Sequence, residues 1–296
     1  MNTHASTPAP GEPGSRRPVA LVTGASRGIG FELAREFAEH GYDLLINAED
    51  EAVEEAAARL RESGADVRAI RADLRDPEAV ARVAAVAGEF AVDVAALNAG
   101  VGSGGAFVDT DPDDDREVID LNVTSTVLLA KPLLRRMVER GEGRMLFTSS
   151  IASLSPGSFQ SVYNASKSFV QSFAQALQEE VKDTGVTVTS FMPGPTDTDF
   201  FRRAGMEDTR IGTMEKDDPA QVARQAFEAV TKGRKKLVTG SAQTKAQGTV
   251  QKVMPDKVKG LFHRKMAEPG TGDPGSGEPD SGDPGAGEDR PGRGPA

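Results

Sequence analysis

Val19-Ala-Leu-Val-Thr-Gly-Ala-Ser-Arg-Gly-Ile-Gly30 decides how the rest of the chain is read. An apolar run with the length of a strand passes through a glycine-rich turn into a segment with helical character. Gly24, Gly28 and Gly30 are spaced G-x3-G-x-G, which departs from the usual G-x-G-x-x-G dinucleotide fingerprint. The physics is shared by the two spacings. Glycine allows a tight turn and a close backbone approach to a pyrophosphate, whose charge rests on the unpaired N–H groups at a helix N-terminus.

Working outward, further apolar runs lie at Leu44–Ile46, Val67–Ile70, Val92–Leu97, Met145–Phe147 and Val186–Met192. Helix-like stretches separate them at Ile29–His40, Glu51–Arg61, Pro77–Ala87, Arg116–Arg140 and Val162–Lys182. Asp76-Pro77 reads as an N-cap followed by proline in the first turn. Six alternations of strand and helix predict an α/β fold: a single doubly wound domain of Rossmann type, with a parallel sheet and helices on both faces. Strands apolar on both sides suit a doubly covered sheet.

Composition narrows the chemistry. With no cysteine, the chain has no disulfide, thiolate nucleophile or cysteine-bound metal. His4, His40 and His263 are remote from one another, so no metal site is expected and a Ser-His-Asp engine has poor material. The net charge of −10 argues against nonspecific nucleic-acid binding. No transmembrane run or signal peptide is evident, so a cytoplasmic protein is expected. Residues 1–17 and 267–296 are rich in Gly, Pro and small polar or acidic residues and are expected to be disordered tails. They hold 11 of the 32 glycines and 9 of the 18 prolines, and removing them leaves the domain, 18–266, at −6. Lys245–Met266 is a basic segment with scattered apolar residues, broken by Pro255. It is read as a C-terminal element packed on the domain or on a second copy, with a membrane-surface helix as the alternative.

The catalytic reading comes from Phe147-Thr-Ser-Ser-Ile-Ala-Ser153 and Tyr163-Asn-Ala-Ser-Lys167. Tyr163 and Lys167, at i and i+4, share a helix face. An ammonium beside a phenol is expected to draw its pKa down from about 10 towards working pH. A tyrosine so tuned can give a proton to a carbonyl oxygen or take one from an alcohol. Ser150, at the end of the fifth strand, can hydrogen-bond the same oxygen. Taken singly, Tyr-x3-Lys is a helix-surface pair and Ser149-Ser150 a strand end; their company with the glycine turn is what carries the reading.

These motifs resemble the short-chain dehydrogenases/reductases (SDR), and the resemblance spans residues 18–240. Thr23-Gly24-Ala25-Ser26-Arg27-Gly28-Ile29-Gly30 is similar to that family's cofactor loop. Asn98-Ala99-Gly100 resembles its Asn-Asn-Ala-Gly, with Leu97 in place of the first Asn, and Asp73-Leu74 resembles its adenine-contacting pair. Pro193-Gly194-Pro-Thr196-Asp-Thr198 matches the segment bordering the nicotinamide, and Lys167 would also hold the nicotinamide ribose. By the same resemblance, Asn122 joins Ser150, Tyr163 and Lys167 in a tetrad, holding a proton-relay water near the lysine. The activity implied is NAD(P)-dependent hydride transfer between nicotinamide and a carbonyl or alcohol, with Tyr163 as general acid/base. The alternative is a non-catalytic dinucleotide-binding regulatory or scaffold protein, which would not need all four tetrad residues.

For the cofactor, Arg27 and the lack of an acid at Ala48 lean to NADP(H) over NAD(H), whereas Glu49 pulls the other way. A lid over about 194–218, with Phe200, Phe201, Met206 and Met214, suits an apolar small-molecule substrate. Gly102-Ser103-Gly104-Gly105 reads as flexibility at the opposite rim. The resemblance also implies a homodimer or homotetramer through Arg116–Arg140 and Val162–Lys182.

Overall fold

The computed structural model describes residues 16–241, 244 and 255–272. The expectations for 1–15, for most of the basic segment (245–254) and for 273–296 lie outside the described residues.

The glycine turn sits where its sequence placed it, between β1 (Val19–Thr23) and α1 (Gly28–Glu39). There follow β2 (Asp43–Ala48), α2 (Ala52–Arg61), β3 (Val67–Arg71), α3 (Pro77–Ala87) and β4 (Val92–Leu97). The second half runs through α4 (Pro112–Ile119), α5 (Ser125–Arg140), β5 (Gly143–Thr148), α6 (Ser161–Glu180) and β6 (Val186–Pro193). Short lid helices α7 (Phe200–Arg203) and α8 (Arg210–Thr213), then α9 (Pro219–Thr231), β7 (Lys236–Thr239) and α10 (Asp256–Ala267), complete it. The strands form one seven-stranded sheet, parallel throughout, in the order β3-β2-β1-β4-β5-β6-β7. The crossover direction reverses between β1 and β4, and a doubly wound sheet opens its binding crevice at that point.

Period-two alternation along β1 explains the two covered faces. Ala20 and Val22 enter the core beneath α1, α2 and α9, where Phe37 meets Phe227 edge-on at 5.2 Å between ring centroids. Val19 and Leu21 enter the core beneath α3, α5 and α6, with Phe147, Met145 and Leu129. Asp76 caps α3 as its sequence predicts, accepting from Glu78 N at 2.9 Å and Ala79 N at 3.2 Å ahead of Pro77. Asp76→Ala is expected to lower stability by about 1 kcal/mol in a urea melt, with no change in dinucleotide affinity.

Two features differ from expectation. Arg116–Arg140 is not one regular helix: α4 and α5 are joined by a π-helical stretch, Asp120–Thr124. Ser125 and Thr126 hydroxyls bond back to the carbonyls of Leu121 (2.5 Å) and Asn122 (2.9 Å), occupying acceptors around the widened turn. The folded chain also continues past Met266. Ala267, assigned to the tail by composition, is buried at the end of α10 against Phe201, Ala204 and Met206, and Gly272 N bonds to Asp208 O at 2.7 Å.

Candidate active site

The crevice lies along the C-terminal ends of β1, β2, β4, β5 and β6. At one end the glycine turn makes a cradle. Gly24 has φ +68°, and a Cβ there would stand 2.9 Å from Ala99 Cα; at Gly30 it would fall 2.1 Å from the Gly24 carbonyl oxygen. Neither position tolerates a side chain. Arg27, the N-cap of α1, makes no side-chain cap to the helix, so the first-turn N–H groups face the crevice without one. An uncapped helix N-terminus behind a bare backbone turn fits a pyrophosphate.

The predicted binding residues Gly24, Ser26, Arg27, Gly28, Ile29, Gly30, Glu49, Asp73, Leu74, Asn98, Ala99, Gly100, Pro193, Gly194, Thr196 and Thr198 all line this crevice. Thr23 stands behind it: fully buried, its hydroxyl accepts from the amides of Asn98 and Ala99, both at 3.0 Å. It fastens β1 to the end of β4 and leaves the wall to its neighbours.

At the rim beyond β2 the charges are paired. Glu49 takes Arg75 at 2.8 Å and Arg203 at 2.5 Å, and Arg75 also holds Asp73 (2.8 Å) and Glu117 (2.7 Å). The Arg75 guanidinium holds the Asp73 carboxyl below the usual carboxylate range. Arg27 pairs with Asp50 and approaches Asp199 at 3.7 Å.

At the other end, α6 brings Tyr163 and Lys167 to the crevice wall on one face, beside Ser150. Ser150, two residues past the end of β5, accepts from Ala152 N at 3.1 Å as the cap of a 3-10 turn (Ile151–Leu154), and hydrogen-bonds Tyr163. Asn164 pins that turn from α6 by donating to Ala152 O (3.1 Å) and Ser155 O (3.2 Å). Lys167 Nζ donates to Thr148 O at 3.1 Å and lies 5.8 Å from the Tyr163 ring centroid. Asn122, off the crevice wall in the π stretch, clasps Val101 through both backbone groups at 2.9 Å and donates to Ser166 Oγ at 2.9 Å. Gly100 completes the arrangement. The position a Cβ would fill there is 3.0 Å from Asn122 Oδ1 and 3.0 Å from Lys167 Nζ, so a small space faces both polar atoms.

The electrostatics correct one expectation. Burial pushes the Tyr163 phenol up to about 12, only partly opposed by its hydrogen bond with Ser150, and burial pulls Lys167 down to about 8. In the protein alone desolvation dominates, and it shifts each equilibrium towards the neutral form. Lys167, half-protonated near pH 8 and charged below it, does not offset the burial of its neighbour.

The lid shows two kinds of apolar residue. Phe201 and Met206 are buried in its own small core, with Phe201 also reaching the crevice, while Phe200 packs on that core and stands over the Tyr163 ring at 5.2 Å, and Met214 lines the crevice. The glycine run at the opposite rim allows close approach. A Cβ on Gly102 would strike Phe200 Cζ at 2.5 Å, and Gly104 N bonds to Ala204 O at 3.0 Å. His263 of α10, unremarkable in sequence, is buried at this end. Its ring bonds Ser158 O at 3.1 Å and meets Asn164 Nδ2 at 3.3 Å, and burial lowers its pKa. Arg75, Arg203, Asn164 and His263 carried no local signal, because each acts across the fold.

A family model described as short chain dehydrogenase matches residues 18–208. The chain belongs to the short-chain dehydrogenase family. It is 34% identical over 267 residues to dehydrogenase/reductase SDR family member 7B of Bos taurus, covering 85% of this chain and 81% of that protein. Among solved structures, a short-chain dehydrogenase from Sphingobium yanoikuyae in complex with NADPH superposes with a TM-score of 0.71 at 31% identity, over 79% of this chain and 93% of that one. A short-chain dehydrogenase/reductase from Burkholderia phymatum in complex with NAD gives 0.71 at 25% identity, over 79% and 92%. These relatives make the present chain an SDR-type oxidoreductase with a Rossmann-like sheet. Among the described residues of this SDR chain, no helix is long and apolar enough to cross a membrane.

Proposed function

We propose that this chain is an NAD(P)-dependent oxidoreductase that interconverts an apolar carbonyl compound and its alcohol, with Tyr163 as general acid/base and NADP(H) preferred to NAD(H). The observation that carries the reading is the convergence of Ser150, Tyr163 and Lys167 on one crevice wall, at the opposite end from the Gly24–Gly30 cradle. A nicotinamide bound there supplies the hydride. The chain supplies position, proton and charge. Ser150 Oγ donates to the substrate oxygen and holds it against the Tyr163 hydroxyl. Tyr163 gives its proton to that oxygen in reduction and takes it back in oxidation. Lys167, together with Asn122 Oδ1 across the space above Gly100, offers the tyrosine a route to recover the proton. Phe200 covers the reacting end, excludes water and gives the substrate an apolar contact.

Three features support NADP(H). β2 ends on Ala48 without an acid, Arg27 lines the crevice, and Glu49 is held by two guanidinium groups. The relative bound to NADPH is also the more similar of the two structures. Titrating nicotinamide fluorescence tests this: NADPH is expected to bind more tightly than NADH, and equal or reversed affinities contradict it. A homodimer or homotetramer belongs to the same reading, supported by the exposed Leu128 and Val138 of α5 and Phe169 of α6.

The pH dependence follows from the buried pair. Lys167 loses its ammonium as pH rises through about 8, while Tyr163 keeps its proton until about 12. Carbonyl reduction needs both groups protonated. Its kcat/KM is therefore expected to be level below pH 8 and to fall above it, by up to about tenfold per pH unit. Lys167→Arg, whose charge persists, is expected to remove that fall at whatever residual rate it retains. A flat profile to pH 10 in the parent enzyme contradicts the assignment.

A further inference from the structure

The lid helix α7 touches both ends of the crevice. Phe200 lies over the catalytic-site ring of Tyr163, 5.2 Å between centroids. Three residues on, Arg203 Nη2 reaches Glu49 Oε1 at 2.5 Å, at the rim beyond β2. Residues i and i+3 share a helix side, and Arg203 N bonds to Asp199 O at 2.9 Å, which fixes their spacing. Asp199, at the start of the same turn, faces Arg27 of the glycine loop at 3.7 Å. The rim therefore holds two guanidinium groups in the crevice, one from the cofactor loop and one from the lid.

The end of the second strand is where a doubly wound sheet reads the adenosine 2′ position. A guanidinium has five donors in a planar fork, and Arg203 spends only one terminal nitrogen on Glu49. Its side chain is 40% exposed, comparable with the 42% of Arg27, so both remain accessible from the crevice. A 2′-phosphate can take charge-assisted bonds from both. A neutral 2′-hydroxyl can instead donate to Glu49 and needs neither.

We propose that Arg203 is a specificity-determining residue for the adenosine 2′-phosphate, supplied by the substrate lid, so that an NADP-type dinucleotide fastens the helix that covers Tyr163. The proposal rests on the NADP(H) reading above and adds to it that selection is shared between Arg27 and a lid residue.

The test is binding of NADPH and NADH to the full chain, wild type against Arg203→Gln, Arg27→Gln and Arg202→Gln, by nicotinamide fluorescence, with hydrogen exchange of residues 199–206 followed in parallel. Arg202 sits on the same helix but pairs with Asp199 at 3.2 Å, so its variant controls for loss of a lid charge. Arg203→Gln is expected to raise the NADPH Kd about tenfold and the NADH Kd less than about twofold. It is also expected to lose the extra lid protection that NADPH confers over NADH, while Arg202→Gln behaves as wild type. If wild type favours NADPH and Arg203→Gln leaves the NADPH-to-NADH ratio unchanged, the lid's role is overturned and the cofactor reading stands. A wild type that binds NADH as tightly or more tightly overturns both.

Discussion

Tyr163→Phe is expected to lower turnover by at least about a thousandfold while leaving NADPH affinity within about twofold. The phenyl ring keeps its place under Phe200 and on the buried face of α6, so packing survives. Only the hydroxyl is lost, and with it the proton donor that Ser150 contacts. Positioned general acid catalysis is worth about 10²–10⁴-fold, and the neighbouring Lys167 ammonium is directed to Thr148 O at 3.1 Å. Stability should change little: Ser150 keeps its bond from Ala152 N at 3.1 Å, and one hydrogen bond is worth about 1 kcal/mol. Steady-state rates and a dinucleotide titration on the same preparation separate the two effects. Residual turnover within tenfold of the parent assigns the proton to another group.

Gly30→Ala is the second large effect, and it acts on the opposite end of the crevice. The added methyl would stand 2.1 Å from the Gly24 carbonyl oxygen and 2.7 Å from Asn98 Nδ2. The first obstacle is backbone, so relief requires α1 to move away from β1 or the turn to open. Overpacking of this kind costs about 3 kcal/mol or more. For a domain of this size that corresponds to a fall in Tm of roughly 6–12 °C. The same displacement moves the first-turn N–H groups, so dinucleotide binding should be lost even well below the new Tm. Gly260→Ala in α10 provides the contrast, since a Cβ there meets nothing within 4 Å. It should be neutral, or stabilising by about 0.5–1 kcal/mol. Thermal melts with and without NADPH check both variants.

What was legible in sequence was local and periodic. Gly24–Gly30 between a strand and a helix, and Tyr163 with Lys167 four residues on, are short patterns whose geometry follows from turn and helix dimensions. Both arrive in the crevice as expected. Asp76-Pro77 marked its helix, and Asp218-Pro219 carries the same cap-and-proline signal for α9, with Asp218 accepting from Ala220 N at 3.1 Å and Gln221 N at 3.2 Å. That second signal is equally local. β7 is harder: four residues, Lys236–Thr239, with three of them half-buried, present too little apolar contrast to mark a strand. The π stretch around Asn122 depends on hydroxyl back-bonds that composition does not reveal.

The residues that sequence reasoning missed act at long range. Arg203 meets Glu49 across 154 positions, and His263 meets Asn164 across 99. No spacing rule connects such pairs; only the fold does. The raised pKa of Tyr163 is hidden from sequence for a related reason. A lysine at i+4 is visible in sequence, but the burial that raises the phenol's pKa is set by the folded chain around it. Glu49, ambiguous as a lone acid, becomes interpretable once Arg75 and Arg203 are seen to hold it.

Hydride exchange between a nicotinamide dinucleotide and a carbonyl or alcohol is the activity proposed for the crevice. The most direct measurement follows NADPH absorbance with the purified full chain while a panel of apolar ketones and aldehydes is added one at a time. Carbonyl-dependent NADPH oxidation that disappears in Tyr163→Phe is the expected result. NADPH binding without carbonyl-dependent oxidation across the panel, and no NADP+ reduction by the matching alcohols, would contradict the claim.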